Sequence, residues 1–286
     1  MADPGWLFQP SVFPWVAGAV GLCVGSFLNV VIHRLPKMME RAWRADCAEL
    51  QGQDAPDEGP YNLLVPASGC PSCGRPIRAI ENVPVASWLA LRARCPGCGM
   101  RISARYPLVE VLGAVAGAGS AAHFGPTAAA AGAMLFLWCT IALAFIDQAT
   151  GFLPDDLTLP LLWTGLLFNV AGTFVPLQDA VLGAAGGYLS LWLIFWAFKF
   201  ATGKEGMGYG DFKMLAAVGA FLGWKMLPVV ILLSSVVGLA FGLLQMLAAR
   251  RGWDAAFRFH FGPYLAIAGV VALFWGQRIW AWYLGA

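Results

Sequence analysis

The chain has little charge and little histidine. Lys, Arg, Asp and Glu make up 12% of its 286 residues, and the three histidines are scattered at positions 33, 123 and 260. Since about 25% of an ordinary soluble domain is charged, this composition excludes that class, and a net charge of +2 does not indicate a nucleic-acid partner. The sequence has no GxSxG or HExxH motif, so serine–histidine and zincin catalysis are poorly supported. No GxGxxG follows a plausible strand, so we expect no soluble Rossmann domain.

Long apolar segments take the place of the missing charge. Hydrophobic residues make up 59% of the chain, and the mean hydropathy is +0.68. Because a helix needs about 20 apolar residues to cross a bilayer, we predict an all-α polytopic membrane protein with about eight transmembrane helices. The predicted spans are roughly 11–32, 106–124, 127–146, 157–175, 179–199, 211–224, 227–248 and 262–284. The span 211–224 is the shortest.

Three regions follow from this pattern. Residues 1–32 are expected to form the first transmembrane helix, residues 33–105 a soluble loop, and residues 106–286 a membrane core of about seven helices. With eight spans, all lysines and arginines except Lys225 and Arg278 lie in or beside the loops of one face. Basic loops remain in the cytoplasm, so we expect the large loop to be cytoplasmic.

The large loop contains a cysteine repeat between residues 70 and 98. Cys70, Cys73, Cys95 and Cys98 belong to two copies of the pattern C-P-x-C-G-x-x-I. Four thiolates in two CxxC turns are typical of structural Zn²⁺, which would let a small loop fold without a large core. A disulfide pair or four free thiols are the alternatives, but disulfides are rare in the cytoplasm.

Two aspartates stand out because each lies where an apolar segment meets a short polar loop. Asp147 follows CTIALAFI, and Asp211 follows GMGYG. A carboxylate near membrane depth is costly and by default indicates a functional site. The simpler interpretation is that Asp211 is an ordinary helix N-cap. The presence of a second carboxylate on the same face makes this interpretation less favoured. One member of Asp155-Asp156 is expected to cap the helix that follows it.

A carboxylate pair of this kind suits aspartyl proteolysis. The ionised member takes a proton from water, and the protonated member donates to the scissile carbonyl. An ion-coupled transporter that uses both aspartates is the alternative, although no internal similarity between the halves supports it. A zinc-stabilised membrane scaffold is a third possibility, and it leaves the two aspartates unexplained.

Several motifs in order along the chain resemble the type IV prepilin peptidases, bifunctional leader peptidases and N-methyltransferases with a GxGD-type aspartyl protease core. The resemblance covers nearly the whole chain. Its motifs are GSFLNVVIHRLP (25–36), the two cysteine turns, RYPLVEVL (105–112), IDQATGFLPDDLTLP (146–160) and GKEGMGYGDFKMLAAVGAFLGW (203–224).

The resemblance implies that Asp147 and Asp211 are the catalytic pair, supported by Gly208, Gly210 and Lys213. It implies an enzyme of the bacterial inner membrane whose active site faces the cytoplasm. Its substrates would be prepilins and type II secretion pseudopilins, cut after the glycine that ends a short basic leader. The new N-terminus would then be methylated from S-adenosylmethionine. Glu110, inside the second span, is expected to serve structure or methyl transfer.

Overall fold

The computed structural model describes residues 4–54, 59–249 and 260–284, and within these ranges it is almost entirely helical. The only β-structure in the described ranges is a pair of isolated bridges in the cysteine repeat. The described residues contain nine α-helices: α1 Phe13–Leu50, α2 Ala86–Ala90, α3 Arg105–Phe124, α4 Ala128–Thr150, α5 Asp155–Val170, α6 Leu177–Thr202, α7 Tyr209–Leu222, α8 Leu227–Ala249 and α9 Gly262–Leu284.

Six of the described helices are long and apolar enough to cross a membrane: α1, α3, α4, α6, α8 and α9. The helices α5 and α7, with 16 and 14 residues, fall short of that length. Together these eight helices correspond to the eight predicted spans and confirm the prediction of an all-α polytopic membrane protein. The first helix continues past residue 32, where the predicted span ends, and runs as one helix to Leu50. At 1.5 Å per residue its 38 residues reach about 57 Å, so α1 extends well beyond a bilayer core.

The chain forms two compact units, Met1–Pro126 and Thr127–Ala286. In the first unit α1 packs against α3. The reason is a close approach of glycines. A Cβ at Gly25 would lie 2.6 Å from the Cα of Glu110, and one at Gly113 would lie 2.9 Å from the Cα of Gly25. Small residues let membrane helices pack backbone to backbone.

The second unit is built around α7. This helix packs against α5, α6 and α9, and every residue from Met214 to Leu222 is buried. A helix that is apolar on all sides belongs inside a bundle, where its polar backbone is satisfied within the helix. Gly183 and Gly219 meet backbone to backbone where α6 crosses α7, and a Cβ at Gly187 would lie 2.6 Å from the Leu215 carbonyl oxygen.

Asn169 holds the far end of α7. Its Nδ2 donates to the carbonyl oxygens of Ala220 (2.8 Å) and Phe221 (3.1 Å). Its Oδ1 accepts from the backbone N–H groups of Phe174 and Val175. All four hydrogen-bonding positions of this fully buried amide are therefore used.

Candidate active site and metal centre

Both predicted catalytic aspartates lie in the second unit, each at a helix end. Asp147 is on the last turn of α4, whose C-cap is Gly151 in the left-handed conformation with φ +72°. The Gly151 N–H donates to the Asp147 carbonyl oxygen at 2.7 Å, which ends the helix. Asp211 is on the first turn of α7, three residues after the N-cap residue Gly208. The simpler interpretation of Asp211 as the N-cap is therefore wrong.

The two carboxylates are buried and act on each other. Their exposed fractions are 5% for Asp147 and 7% for Asp211, and they are close enough for their charges to interact. Asp211 Oδ1 is buried and has no hydrogen-bond partner among the described residues. A pair of buried carboxylates cannot easily carry two negative charges, so this geometry favours sharing of one proton.

The residues flanking Asp211 bring α7 against the loop after α4. A Cβ at Gly210 would lie 2.7 Å from the Cβ of Leu153, so only glycine permits this approach. Lys213 Nζ lies 2.7 Å from both carboxylate oxygens of Asp155, at the start of α5. Aromatic rings pack beside this first turn: Tyr188, Phe195, Tyr209 and Phe212.

The sequence prediction missed a contribution from the start of α9. The backbone N–H of Gly262 donates to Asp147 Oδ2 at 3.0 Å, in a buried position. His260 lies close to the end of α4 and interacts electrostatically with Asp147. A backbone donor 115 positions further along the chain leaves no sequence signal, although the Gly-Pro pair at 262–263 indicated a helix start.

In the first unit the four predicted cysteines come together. One ligand atom from each lies within 4.8 Å of all the others, and the Cys70 and Cys98 sulfurs are 3.7 Å apart. Sulfurs around a tetrahedral zinc, with bonds of about 2.3 Å, are separated by about 3.8 Å. None of the seven cysteines, all of which lie in the described ranges, forms a disulfide, so the disulfide alternative is not supported. The donor set and spacing therefore fit a metal such as zinc.

The two cysteine turns repeat the same backbone bonds. Cys70 N–H donates to the Arg75 carbonyl oxygen and Gly74 N–H to that of Cys70; the second turn pairs Cys95 with Met100 and Gly99 with Cys95. Both glycines have a positive φ, +70° and +72°, which favours glycine. Backbone N–H groups of Cys73 and Ser72 lower the pKa of the Cys70 thiol to about 6, which favours the thiolate that binds a metal.

Glu110 on α3 supports a strained turn. Its Oε2 accepts the backbone N–H of Val85 at 2.7 Å. Val85 has φ 59° and ψ −48°, and the Ala86 N–H donates to the Pro84 carbonyl oxygen across it. This is the rare γ-turn geometry, which is costly for a β-branched residue. A buried carboxylate thus holds the turn that leads into α2.

Comparisons with known proteins agree with these observations. A model of the bacterial peptidase A24 N-terminal domain matches residues 19–124, and a model of the type IV leader peptidase family matches residues 134–243. No solved structure matches the chain significantly.

Relatives named prepilin leader peptidase/N-methyltransferase include proteins of three bacterial genera. The protein of Aeromonas salmonicida is 54% identical over 98% of this chain and 94% of its own length. The protein of Burkholderia pseudomallei is 52% identical over 90% and 84%. That of Pseudomonas aeruginosa is 51% identical over 96% and 95%. The transporter alternative is not favoured, and the chain belongs to the type IV leader peptidase family.

Proposed function

We propose that this protein cleaves prepilins and pseudopilins with Asp147 and Asp211 and then methylates the new N-terminus. The observation that carries the proposal is that two buried carboxylates, one at the end of α4 and one at the start of α7, lie close enough in one helical core for their charges to interact. Its relatives named as prepilin leader peptidase/N-methyltransferase support the substrate class and both activities.

The hydrolysis needs one carboxylate of the pair ionised and the other protonated. The ionised member removes a proton from water, whose oxygen attacks the scissile carbonyl carbon, while the protonated member donates to the carbonyl oxygen. The leaving nitrogen then takes a proton as the C–N bond breaks. No metal or covalent intermediate is required, and buried surroundings strengthen the charge interactions in the transition state.

The cut follows the glycine that ends a short basic leader, and the hydrophobic helix of the substrate begins at the next residue. The excess of lysine and arginine in one set of loops supports a cytoplasmic position for the active site, in the bacterial inner membrane. Both aspartates lie at helix ends, where they can meet a peptide at the membrane surface rather than in the middle of the bilayer.

The methyl transfer uses S-adenosylmethionine as the methyl donor. Zn²⁺ bound by Cys70, Cys73, Cys95 and Cys98 would be structural, because four protein ligands leave no open position. When bound, the ion supplies folding free energy to the cysteine repeat.

The test is in vitro cleavage of a purified prepilin, read by mass spectrometry in the presence of S-adenosylmethionine. We expect wild type to give the cleaved product with a gain of about 14 Da, one methyl group in place of hydrogen. Asp147→Asn and Asp211→Asn should each lose cleavage, since neither can complete the proton transfers.

Asp179→Asn is the matched control. Asp179 is a carboxylate at the start of α6 that accepts from Trp224 Nε1 at 3.1 Å, at the opposite end of α7 from Asp211. It should keep cleavage. Appreciable cleavage by Asp147→Asn or Asp211→Asn would refute the dyad, and cleavage without the mass gain would remove the methyltransferase assignment.

A further inference from the structure

The amino end of α9 faces one of the two aspartates, Asp147. Gly262 is the first residue of α9. The carbonyl oxygen of the preceding residue, Phe261, accepts hydrogen bonds from the N–H groups of Tyr264 and Leu265. The first N–H groups of a helix have no acceptor within it. That of Gly262 is used by Asp147 Oδ2, at 3.0 Å.

The contact requires glycine because of space. A Cβ at position 262 would lie 2.7 Å from Asp147 Oδ2, 3.0 Å from its Cγ and 3.1 Å from its Cβ. Gly262 is not among the glycines with a positive φ, so its backbone conformation suits any residue. Position 262 therefore has no room for a side chain between α9 and the Asp147 carboxylate.

His260 adds a second favourable interaction for a negative charge on Asp147. Its ring approaches Gly151, where a Cβ would lie 3.5 Å from Nε2, so the imidazole is next to the carboxyl end of α4. A cation there is favoured by the helix dipole and attracts the Asp147 carboxylate.

One carboxylate oxygen of Asp211 has different surroundings. Its Oδ1 is buried with no partner in the described part of the chain. An ionised oxygen in that position would be left without compensation, whereas a protonated carboxyl group carries a hydrogen that the scissile carbonyl of a substrate can accept.

We infer that Gly262 and His260 are positioning residues that keep Asp147 as the ionised member of the dyad and leave Asp211 as the member that holds the proton. The inference rests on the proposed function and assigns the roles within it.

The proton transfers then balance. Asp147 takes a proton from water as the new C–O bond forms, and Asp211 gives its proton to the carbonyl oxygen. In the second step the protonated Asp147 gives its proton to the leaving nitrogen as the C–N bond breaks. Asp211 recovers a proton from one of the two hydroxyl groups, so both carboxyls return to their starting state.

The test compares Gly262→Ala with Gly276→Ala in the purified full-length enzyme. Gly276 is on the same helix, and its added Cβ would meet the flexible end of Met226, with Sδ at 2.8 Å. We expect Gly262→Ala to lower kcat by roughly 10-fold or more, the usual effect of losing a hydrogen bond to a charged group, with a smaller change in KM. Gly276→Ala should stay close to wild type.

The pH profile of kcat/KM separates the two roles. Its acid limb reports ionisation of the base, and its basic limb reports loss of the proton from the acid. Loss of the Gly262 contact should move the acid limb to higher pH and leave the basic limb unchanged. His260→Gln, which introduces no added atom at Gly262, should move the acid limb in the same direction.

Other groups that titrate near the site must be followed in the same series. They are Asp211 on α7, Asp155 and Asp156 at the start of α5, and His260 itself; Asp155 is already paired with Lys213. Asp155→Asn and Asp156→Asn supply the profiles in which these two carboxyls no longer titrate. The limb shift in Gly262→Ala should persist in both backgrounds.

The outcomes distinguish this inference from the proposed function. A basic-limb shift in Gly262→Ala and His260→Gln would reverse the two roles. Unchanged kcat and pH profile in both variants would overturn the inference, while loss of cleavage in Asp147→Asn and Asp211→Asn leaves the dyad standing. If Gly262→Ala fails to fold, His260→Gln decides alone: an unchanged profile overturns the inference.

Discussion

The Lys213 ammonium lies 2.7 Å from Oδ1 and 2.7 Å from Oδ2 of Asp155, joining the amino-terminal part of α7 to the first residue of α5. Lys213 is two residues after Asp211, and Asp155 follows the loop that begins beyond Asp147. The ion pair therefore connects the two short segments that hold the aspartates. The side chains are 28% and 53% exposed, so water screens much of the attraction.

Removal of either charge should affect catalysis more than stability. We expect Lys213→Met and Asp155→Asn each to lower the free energy of unfolding by about 0.2–1 kcal/mol, the usual range for an exposed pair. Each should reduce kcat several-fold, because a small displacement of one catalytic group is costly. The exchanged pair Asp155→Lys with Lys213→Asp should recover part of the loss in a double-mutant cycle. Additive effects on kcat would show that the pair does not position the site.

The aspartates could be predicted because a carboxylate inside an apolar sequence is costly and therefore conspicuous. The cysteines could be predicted because metal ligation imposes a fixed spacing. Gly262 could not, because the active group is a backbone N–H whose importance depends on where α9 begins in space. A backbone donor is present at nearly every residue, so sequence does not single one out.

The end of the first helix and the hydrogen-bond partners of Asn169 could not be predicted from the sequence either. Charged residues after position 32 indicate the end of a membrane span, but charge does not end a helix, and α1 continues to Leu50. Asn169, near the end of an apolar run, resembles an ordinary polar helix end. Its role depends on the carbonyl groups of α7 about 50 residues away.

Asn169 should be important for stability and remote from the chemistry. Asn169→Leu removes four hydrogen bonds and leaves the buried carbonyl group of Ala220 without the Asn169 donor. An unpaired buried polar group costs about 1–3 kcal/mol, so we expect a loss of at least that size. Thermal unfolding in detergent measures it. Thr173→Val, which removes a part-buried hydroxyl bond to the Phe168 carbonyl oxygen, is the control and should cost less. Equal losses in both variants would contradict the role of Asn169.

The metal centre predicts a loss of zinc when any one of its cysteines is changed. Cys70→Ser and Cys98→Ser should each reduce bound zinc from about one ion per chain to well below one, because three thiolates with a serine bind zinc far more weakly than four. Elemental analysis of the purified protein measures the zinc. Cys139→Ser, remote in sequence from the repeat, should keep full zinc content. Wild-type protein without zinc would refute the metal assignment.

The Glu110–Val85 hydrogen bond predicts local loosening in the first unit. Glu110→Ala removes the acceptor of the Val85 N–H, and a γ-turn with φ 59° at a β-branched residue has little intrinsic stability. We expect residues 79–94 to exchange amide hydrogens faster, by roughly 10-fold or more if the bond contributes about 1.5 kcal/mol. Glu110→Gln keeps an acceptor oxygen and should show a smaller increase, while Val85→Gly, which relieves the strain, should offset part of the effect in Glu110→Ala. Exchange in the segment that is identical in wild type and Glu110→Ala would show that the turn does not depend on this carboxylate.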